Sequence, residues 1–190
     1  GEFYHGLALQ LLLYLLAVVE GGEPLLPGTR VPAGALYFPV YDPLERVPAP
    51  IKLDELRRLR RKRYQARGLV NDSPEIIRAM DAAGLGLIPA RLNKDGSVRK
   101  GSPVASQDQF RRLFDHLRQV VRACGEQVLQ GEAAVAPFRL GQATACEVCP
   151  YRPVCQFDPM VGAQTYRRLE KLDAPAVWER VASAGGEGDV

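Results

Sequence analysis

The sequence lacks a hydrophobic run long enough to cross a bilayer. Its longest apolar stretch, residues 7–19, is interrupted by Gln10, whereas a membrane-spanning helix needs about 20 apolar residues. No basic start and no small-residue cleavage site indicate a signal peptide. We therefore expect a buried helix here and no membrane association.

Cysteine and histidine are scarce, with four and two residues among 190. Three of the cysteines are crowded into one segment, which is not the pattern of a disulfide framework. We therefore expect the protein to reside in the reducing cytoplasm, with its cysteines unpaired. No Gly-x-x-x-x-Gly-Lys-Ser/Thr phosphate loop is present, so the sequence predicts no nucleotide site of that type. The net charge of +3 indicates no partner class. Because the chain starts at Gly1 rather than Met, we expect it to be a piece of a longer protein.

Apolar spacing and turn residues predict a mixed α/β chain. Residues 7–20 should form a helix that ends near Gly21-Gly22, followed by a loop over 23–34. Residues 34–42 favour a strand, which Pro39 limits to an end or an edge. Residues 72–84 should form a short helix that starts at Asp72, Ser73 and Pro74. The Asp95-Gly96 pair predicts a hairpin or a mobile loop.

The clearest predicted helix lies between Ser106, a plausible N-cap, and Gly131, a plausible stop. Its apolar residues recur every three or four positions and share one face. They are Phe110, Leu113, Phe114, Leu117, Val120, Val121, Cys124 and Val128. A last short helix is expected around residues 166–172, and residues 182–190 should be disordered.

Residues 52–68 carry eight Lys or Arg against two acids. Such a cluster can neutralise phosphates and bind DNA in a salt-dependent way. It can equally be the solvated face of a helix whose Leu53, Leu56 and Leu59 pack inward. The candidate DNA contacts are Arg57, Arg60, Arg61 and Arg63.

The segment "ATACEVCPYRPVCQFDP" holds cysteines with the spacing Cys146-x2-Cys149-x5-Cys155. Thiolates at this spacing bind zinc or an iron–sulfur cluster, and spacing alone does not separate the two. Three reduced cysteines in a loop are a further alternative. For a fourth ligand, Cys124 is the local candidate and stays open, although it falls on the apolar helix face, where a free cysteine behaves as a core residue. His5 and His116 are interpreted as surface residues, and an upstream cysteine remains open.

"CEVCPYRPVCQFDP" closely resembles the C-terminal cysteine motif of the B subunit of AddAB-type ATP-dependent helicase–nucleases. The resemblance extends to "LALQLLLYLLAV", "AGALYFPVYDPL", "GLVNDSPEIIRAMD" and "VASQDQFRRLFDHLRQVVRACGEQVLQGEAAVAPFR". It implies a helix-rich α/β fold, a partial PD-(D/E)XK (restriction-endonuclease-like) nuclease core followed by a cysteine-bound cluster segment. The implied domains are a partial nuclease domain at 1–142, the cluster segment at 143–160, and a short helix with a flexible tail at 161–190.

The resemblance also implies site residues. Cys146, Cys149 and Cys155 would hold a four-iron, four-sulfur cluster whose fourth cysteine lies far upstream, and Cys124 would have no ligand role. Gln10 and Tyr14 match the Gln-x-x-x-Tyr motif of RecB-type nucleases. Because positions i and i+4 share a helix face, their amide and phenol could point together at the active site or the bound strand.

In the complete family domain, carboxylates from an acidic residue and an Asp-x-Lys hold Mg²⁺ for phosphodiester cleavage. Neither Asp-x-Lys nor Glu-x-Lys precedes Gln10, so this chain should not cleave DNA alone. The resemblance implies a parent that resects DNA double-strand ends in recombinational repair, as a heterodimer with an A subunit and with ATP bound in motor domains. The alternative is a non-catalytic zinc module that contacts DNA or protein.

Overall fold

The computed structural model describes residues 2–24, 26–41, 50–160 and 164–184. These residues form six α-helices, six strands and two 3-10 helices. The α-helices are α1 (Gln10–Gly21), α2 (Leu53–Arg63), α3 (Pro74–Met80), α4 (Gln107–Leu129), α5 (Arg152–Cys155) and α6 (Ala174–Ala184). The strands are β1 (Gly34–Tyr37), β2 (Arg67–Asn71), β3 (Val104–Ala105), β4 (Phe138–Leu140), β5 (Ala143–Thr144) and β6 (Arg167–Leu169). The 3-10 helices are Glu2–His5 and Ala145–Glu147.

The chain divides into two compact units, and the boundary falls within α4. The first, here the 10–114 unit, contains residues 10–114; the second, here the C-terminal unit, contains residues 115–190 together with 1–9. These limits do not coincide with the predicted boundaries at 142/143 and 160/161, and β4 and β5 pair across the first of those boundaries. In the described part of the chain no helix is long and apolar enough to cross a membrane.

Helix α1 starts three residues later than predicted and ends at the predicted glycine pair. Leu12 and Leu16, one turn apart, are its buried residues. Gly22 donates its N–H to the Val18 carbonyl at 3.1 Å, and a Cβ on Gly22 would lie 2.3 Å from that oxygen. The guanidinium of Arg30 donates to the Val19 carbonyl at 2.8 Å. It thereby satisfies a carbonyl that the helix end leaves unpaired.

A three-stranded sheet in the order β1-β2-β3 forms the centre of the 10–114 unit. Strands β1 and β2 are antiparallel, with Tyr37 opposite Arg67, and β2 and β3 are parallel. Gly68 has φ +145°, and a Cβ there would lie 2.0 Å from the Ala35 carbonyl oxygen of β1. Only glycine therefore allows this register. The predicted strand is confirmed over Gly34–Tyr37 and excludes Pro39, while Asp42 lies outside the described residues.

The helix predicted at 72–84 is confirmed but shorter, because α3 ends at Met80. Ser73 occupies its N-cap position and Pro74 its first turn. The predicted hairpin is also confirmed: Leu92 and Val98 form an antiparallel bridge around Asp95-Gly96. The side chain and backbone N–H of Ser97 both donate to the Asp95 carboxylate, which holds the pKa of that carboxyl below its usual range.

Helix α4 begins where the sequence predicts. Ser106 and Gln109 form a reciprocal cap: the Gln109 N–H donates to the Ser106 hydroxyl at 3.2 Å, and the Ser106 N–H donates to the Gln109 amide oxygen at 2.8 Å. Such a box satisfies two donors that a helix start leaves unpaired. The predicted stop is confirmed by Gly131, which has φ +71° and donates its N–H to the Val128 carbonyl.

The predicted apolar face of α4 is buried only in its first half. The four buried residues of the pattern are Phe110, Leu113, Phe114 and Leu117. Every residue from 121 to 136 is exposed, so the expectation that Val121, Cys124 and Val128 face a core is wrong. Periodicity puts these residues on one face, but it cannot say whether anything covers that face.

The C-terminal unit has its own sheet, in the order β5-β4-β6. Strand β6 pairs in parallel with β4, with Phe138 opposite Arg167. The helix predicted at 166–172 is therefore wrong, since this segment satisfies its backbone groups through a strand far upstream. Helix α6 begins instead after Asp173, whose carboxylate accepts the Ala176 N–H at 2.9 Å as an N-cap.

The end of the chain is more ordered than predicted over its first residues. Residues 182–184 belong to α6, and residues 185–190 lie outside the described residues. The core of the C-terminal unit is formed by Leu172, Val177 and Val181. Phe3 and Tyr4 of the N-terminal 3-10 helix pack against it.

Candidate functional site

Gln10 and Tyr14 lie on the exposed face of α1. The Gln10 amide nitrogen donates to the Tyr14 hydroxyl oxygen at 2.7 Å, and 60% of Tyr14 is exposed. A tyrosine hydroxyl that accepts one hydrogen bond still has its own hydrogen to donate. The two side chains predicted to point together therefore contact each other, and their free edge can donate to an anionic oxygen such as a phosphate.

Helix α2 carries the predicted basic cluster, with Arg60, Arg61, Lys62 and Arg63 in its last turn. Cations at this end complement the negative pole of the helix dipole, which is a structural reason for part of the cluster. Arg57 lies 3.4 Å from Asp54, and both side chains are mostly exposed. An exposed pair of this kind contributes about 0–1 kcal/mol, so Asp54 holds Arg57 only weakly.

The four candidate arginines do not share one surface. Leu59, Lys62 and Arg63, spaced three and four residues apart, lie on one face of α2 and line a groove. Arg57 and Arg61, four residues apart, lie on another face and do not line it. Of the three predicted inward-facing leucines, Leu56 and Leu59 are half-buried, whereas Leu53 is 62% exposed. The prediction for Leu53 is wrong because it starts the helix, before the helix reaches its packing partners.

The groove beside α2 has a volume of about 810 Å³. Its described lining combines aromatic, basic and uncharged residues. They are Tyr37, Phe38, Pro39, Tyr41, Leu59, Lys62, Arg63, Gln65, Ala66 and Arg67. In the sequence, the aromatic residues at 37–41 predicted only a strand. They lie close in the chain to the basic residues at 52–68, and this closeness was the available signal that both sets of side chains could line one groove.

The three clustered cysteines lie in short turns of the C-terminal unit. Cys146 is in the second 3-10 helix, and Cys155 ends α5, where its N–H donates to the Tyr151 carbonyl at 2.9 Å. Cys146 and Cys149 are half-buried, Cys155 is exposed, and all three are free thiols. The donor types suit a thiolate-bound metal or cluster. In the described part of the chain, however, no three potential ligands lie close enough together to hold one ion.

The remaining candidate ligands are not near a metal-binding arrangement. Cys124 is exposed rather than in a core, as described for α4. His5 and His116, predicted to be surface residues, are half-buried and support the N-terminal segment. The His5 imidazole contacts the Glu170 carbonyl at 2.8 Å, and His116 contacts the Tyr4 carbonyl at 3.1 Å. The His116 ring also stacks on the Tyr4 ring at 4.7 Å between centroids.

Glu170 has a further partner in this cluster. Its carboxylate pairs with Arg180, and this hydrogen bond raises the pKa of the Arg180 guanidinium above its usual value. Arg180 also lies over the Tyr4 ring, 5.9 Å from its centroid. The contacts of both histidines are thus part of an interlocked structural cluster, which the sequence did not indicate.

This chain is similar to a nuclease superfamily and to several proteins of one name. A model of the PD-(D/E)XK nuclease superfamily matches residues 2–156. The B subunit of the ATP-dependent helicase/deoxyribonuclease of Symbiobacterium thermophilum is 77% identical over 190 residues, which is 100% of this chain and 16% of that protein. The B subunits of the same name from Moorella thermoacetica and Desulforudis audaxviator are 44% and 39% identical, over 95% and 93% of this chain and 16% of each relative. The chain spans about one sixth of the length of these relatives.

Proposed function

Because this chain belongs to the PD-(D/E)XK nuclease superfamily, we propose that it is the C-terminal part of the nuclease domain of a helicase–nuclease B subunit. The parent complex, completed by an A subunit, would resect DNA double-strand ends in the cytoplasm during recombinational repair. The observation that carries the proposal is the Gln10–Tyr14 pair, joined at 2.7 Å on an exposed helix face in a chain of this superfamily.

Within this function, Gln10 and Tyr14 would position the DNA strand rather than perform the cleavage. Gln10 orients the Tyr14 hydroxyl by donating to it, so that the tyrosine hydrogen is directed at a backbone phosphate oxygen. Mg²⁺, held by carboxylates of a complete nuclease domain, would supply the activation of water. The 190 residues contain no Asp-x-Lys or Glu-x-Lys, so we expect no cleavage by this chain alone. ATP would bind only in the motor domains of the complex.

The test is a chimera in which this chain replaces the matching segment of the Symbiobacterium thermophilum protein, assembled with its partner subunit. We expect the chimera to degrade linear duplex DNA with Mg²⁺ and ATP. Gln10→Ala should slow cleavage by about 10- to 100-fold, since a small misplacement of substrate costs this much. ATP-driven unwinding should remain unchanged.

Gln119→Ala, the same substitution at an exposed position of α4, is the matched control and should cleave at the parent rate. A chimera that unwinds DNA but cannot degrade it would contradict the proposal. So would Gln10→Ala with the parent's cleavage rate. Cleavage by the isolated chain would contradict only the expectation that it is incomplete.

We further propose that Cys146, Cys149 and Cys155 contribute three ligands to a four-iron, four-sulfur cluster whose fourth cysteine is outside this chain. Support comes from their thiol chemistry and from the turns that hold them within one short segment. The side chains would have to move together to bind the cluster. Its role would be structural, the closure of a long chain loop by metal–thiolate bonds.

Iron and acid-labile sulfide analysis of the anaerobically purified chimera tests this ligand set. We expect a brown protein whose iron and sulfide are lost in Cys149→Ala and retained in Cys124→Ala. Loss of the cluster should also lower the thermal stability of the chimera. A colourless protein with stoichiometric zinc would support the alternative of a zinc-binding module, and equal iron loss in both variants would contradict the assignment of ligands.

A further inference from the structure

We infer that Tyr4 is a positioning residue for the Gln10–Tyr14 pair. Its ring is held by His116 and Arg180, and it thereby fixes the segment of chain that leads into α1. Tyr4 would act through this segment and would not itself touch the DNA. The inference rests on the proposed function, in which Gln10 and Tyr14 position the DNA strand for cleavage.

Two residues of the first 3-10 helix, Tyr4 and His5, contact three separate elements of the C-terminal unit. We call these two residues, together with His116 of α4, Glu170 directly after β6 and Arg180 of α6, the N-terminal anchor. The Tyr4 and His116 rings stack with 4° between their planes, and the Arg180 guanidinium lies over the Tyr4 ring. The His5 ring meets the Tyr4 ring edge-on, with 5.4 Å between centroids. A ring with these partners has little freedom to rotate or shift.

The N-terminal anchor also holds the backbone. The His116 imidazole contacts the Tyr4 carbonyl at 3.1 Å, and the His5 imidazole contacts the Glu170 carbonyl at 2.8 Å. The Glu170 carboxylate in turn pairs with Arg180. Burial alone would not require such directional contacts, since the apolar core of this unit would accept any apolar side chain of similar size. The contacts therefore specify where the chain lies as well as what it buries.

The chain is held in a defined conformation as it leaves the anchor. Gly6 donates its N–H to the Phe3 carbonyl at 3.0 Å, and Leu7 donates its N–H to the Glu2 carbonyl at 3.1 Å. Gly6 has φ +80°, which favours glycine, and a Cβ there would lie 3.3 Å from the Val120 side chain of α4. The direction of the chain after the 3-10 helix is thus fixed by backbone hydrogen bonds and by a close approach to α4.

The next residues lead directly to the proposed DNA contacts. Residues 7–9 are half-buried, and Gln10 is both the exposed first residue of α1 and the first residue of the pair. The chain from His5 to Gln10 spans at most about 18 Å, so a fixed His5 limits where Gln10 can lie. Because a misplacement of about 1 Å can slow an enzyme by about 100-fold, loss of the anchor should slow cleavage.

The first experiment needs no cleavage and uses hydrogen exchange of the full 190-residue chain. Tyr4→Leu keeps an apolar side chain on the core but removes the flat ring. Exchange in peptides that cover residues 10–18 should become about 2- to 10-fold faster, because lost aromatic contacts let the start of α1 open more often. Tyr4→Phe keeps the ring and should restore most of the protection. Tyr151→Leu, the same substitution at a residue that is 72% exposed, is the matched control and should leave these peptides unchanged.

The second experiment measures cleavage in the chimera. Tyr4→Leu should lower kcat for DNA degradation by about 10- to 100-fold, with KM for DNA and ATP-driven unwinding unchanged. Tyr4→Phe should restore kcat. A purely structural role would instead lower cleavage and unwinding together, through the loss of folded enzyme.

A third variant separates the anchor from α1 and leaves every anchor residue in place. Two glycines inserted between Ala8 and Leu9 lengthen the connection by up to about 7 Å. Cleavage should fall by about 10-fold or more, while the thermal midpoint stays close to that of the parent. The same insertion between Gly131 and Glu132, both exposed, is the control and should cleave at the parent rate.

Unchanged exchange over residues 10–18 in Tyr4→Leu overturns the inference, as does an insertion after Ala8 that cleaves at the parent rate. Equal losses of cleavage and unwinding in Tyr4→Leu overturn it as well. A chimera of the unaltered chain that cannot degrade DNA overturns the proposed function. Anchor variants that cleave normally in an active chimera overturn this inference alone.

Discussion

Asn71 shows how one side chain can connect three parts of the 10–114 unit. Among the described residues, Asn71 is the one polar residue that is buried, and it lies at the end of β2. Its amide nitrogen donates to the Pro32 carbonyl at 3.0 Å, and its amide oxygen accepts the Ser73 N–H at 2.9 Å. The loop before β1, the end of β2 and the start of α3 therefore meet at a single amide, which must be both donor and acceptor.

Asn71→Asp should lower the free energy of unfolding by about 1–3 kcal/mol. A carboxylate cannot donate to the Pro32 carbonyl, and a buried acceptor without its partner carries a desolvation cost of this size. Urea denaturation monitored by circular dichroism measures the change. Asn93→Asp, the same substitution in the hairpin, removes only an exposed hydrogen bond from the Asn93 amide to the Ser97 hydroxyl, so it should cost less than Asn71→Asp, about 0.5 kcal/mol. Equal effects at the two positions would show that the burial of the Asn71 amide is unimportant.

Among the elements, α4 changes environment along its length. Leu113 in its first half is 1% exposed, whereas Leu129 at its end is 88% exposed. Both are leucines of one helix, so the intrinsic helix propensity at the two positions is the same. Any difference in what they contribute to stability therefore comes from packing.

Leu113→Ala should lower the free energy of unfolding by about 2–5 kcal/mol, the cost of a cavity at a closed site. Leu129→Ala, the matched substitution, should change it by no more than about 0.5 kcal/mol. Chemical denaturation of both variants gives the comparison. A large loss in Leu129→Ala would mean that the second half of α4 is covered in solution.

The same helix shows how far sequence patterns reach. Periodicity located α4, and the Ser106 cap gave its start, because both signals are local in the chain. Whether Val121 and Val128 are covered depends on other segments, and periodicity carries no information about them. Likewise β6 was mistaken for a helix because its partner, β4, lies almost thirty residues upstream. The groove beside α2 was missed for the same reason, because its lining residues come from different elements.

The candidate site was predicted unevenly for a related reason. The Gln10–Tyr14 contact follows from helical spacing alone, and the structure confirms the contact. The cysteine spacing identifies donor types, but the positions of three side chains around one point depend on turn geometry and on the metal itself. The ligand set therefore stays a prediction.

For the whole molecule, stability should be concentrated in two places. Each unit has a core of its own, around Val70 and Ile77 in the 10–114 unit and around Val177 and Val181 in the C-terminal unit. Residues 121–136, by contrast, are exposed at every position. Segments with few buried apolar contacts open at a much lower free energy than the core does.

Hydrogen exchange followed by mass spectrometry should reveal this distribution. Peptides that cover residues 121–136 should exchange faster than those that cover 107–117, although both include α4, because only the latter have buried side chains. Peptides from β2 serve as the slow reference. Uniform protection along α4 would contradict the prediction and indicate that the second half of the helix is buried in solution.

The parallel pairing of β4 with β6 has a consequence for the cysteine segment between them. Phe138–Leu140 and Arg167–Leu169 are hydrogen-bonded neighbours, so the chain from residue 141 to 166 is a tethered loop whose ends are already joined. The entropy of closing it is therefore lost when the sheet forms rather than when an ion binds. After release of an ion, Cys146, Cys149 and Cys155 would stay at a high effective concentration relative to one another. A fourth ligand from outside this chain would still have to be brought to them, so recapture would depend on the closure of that longer loop.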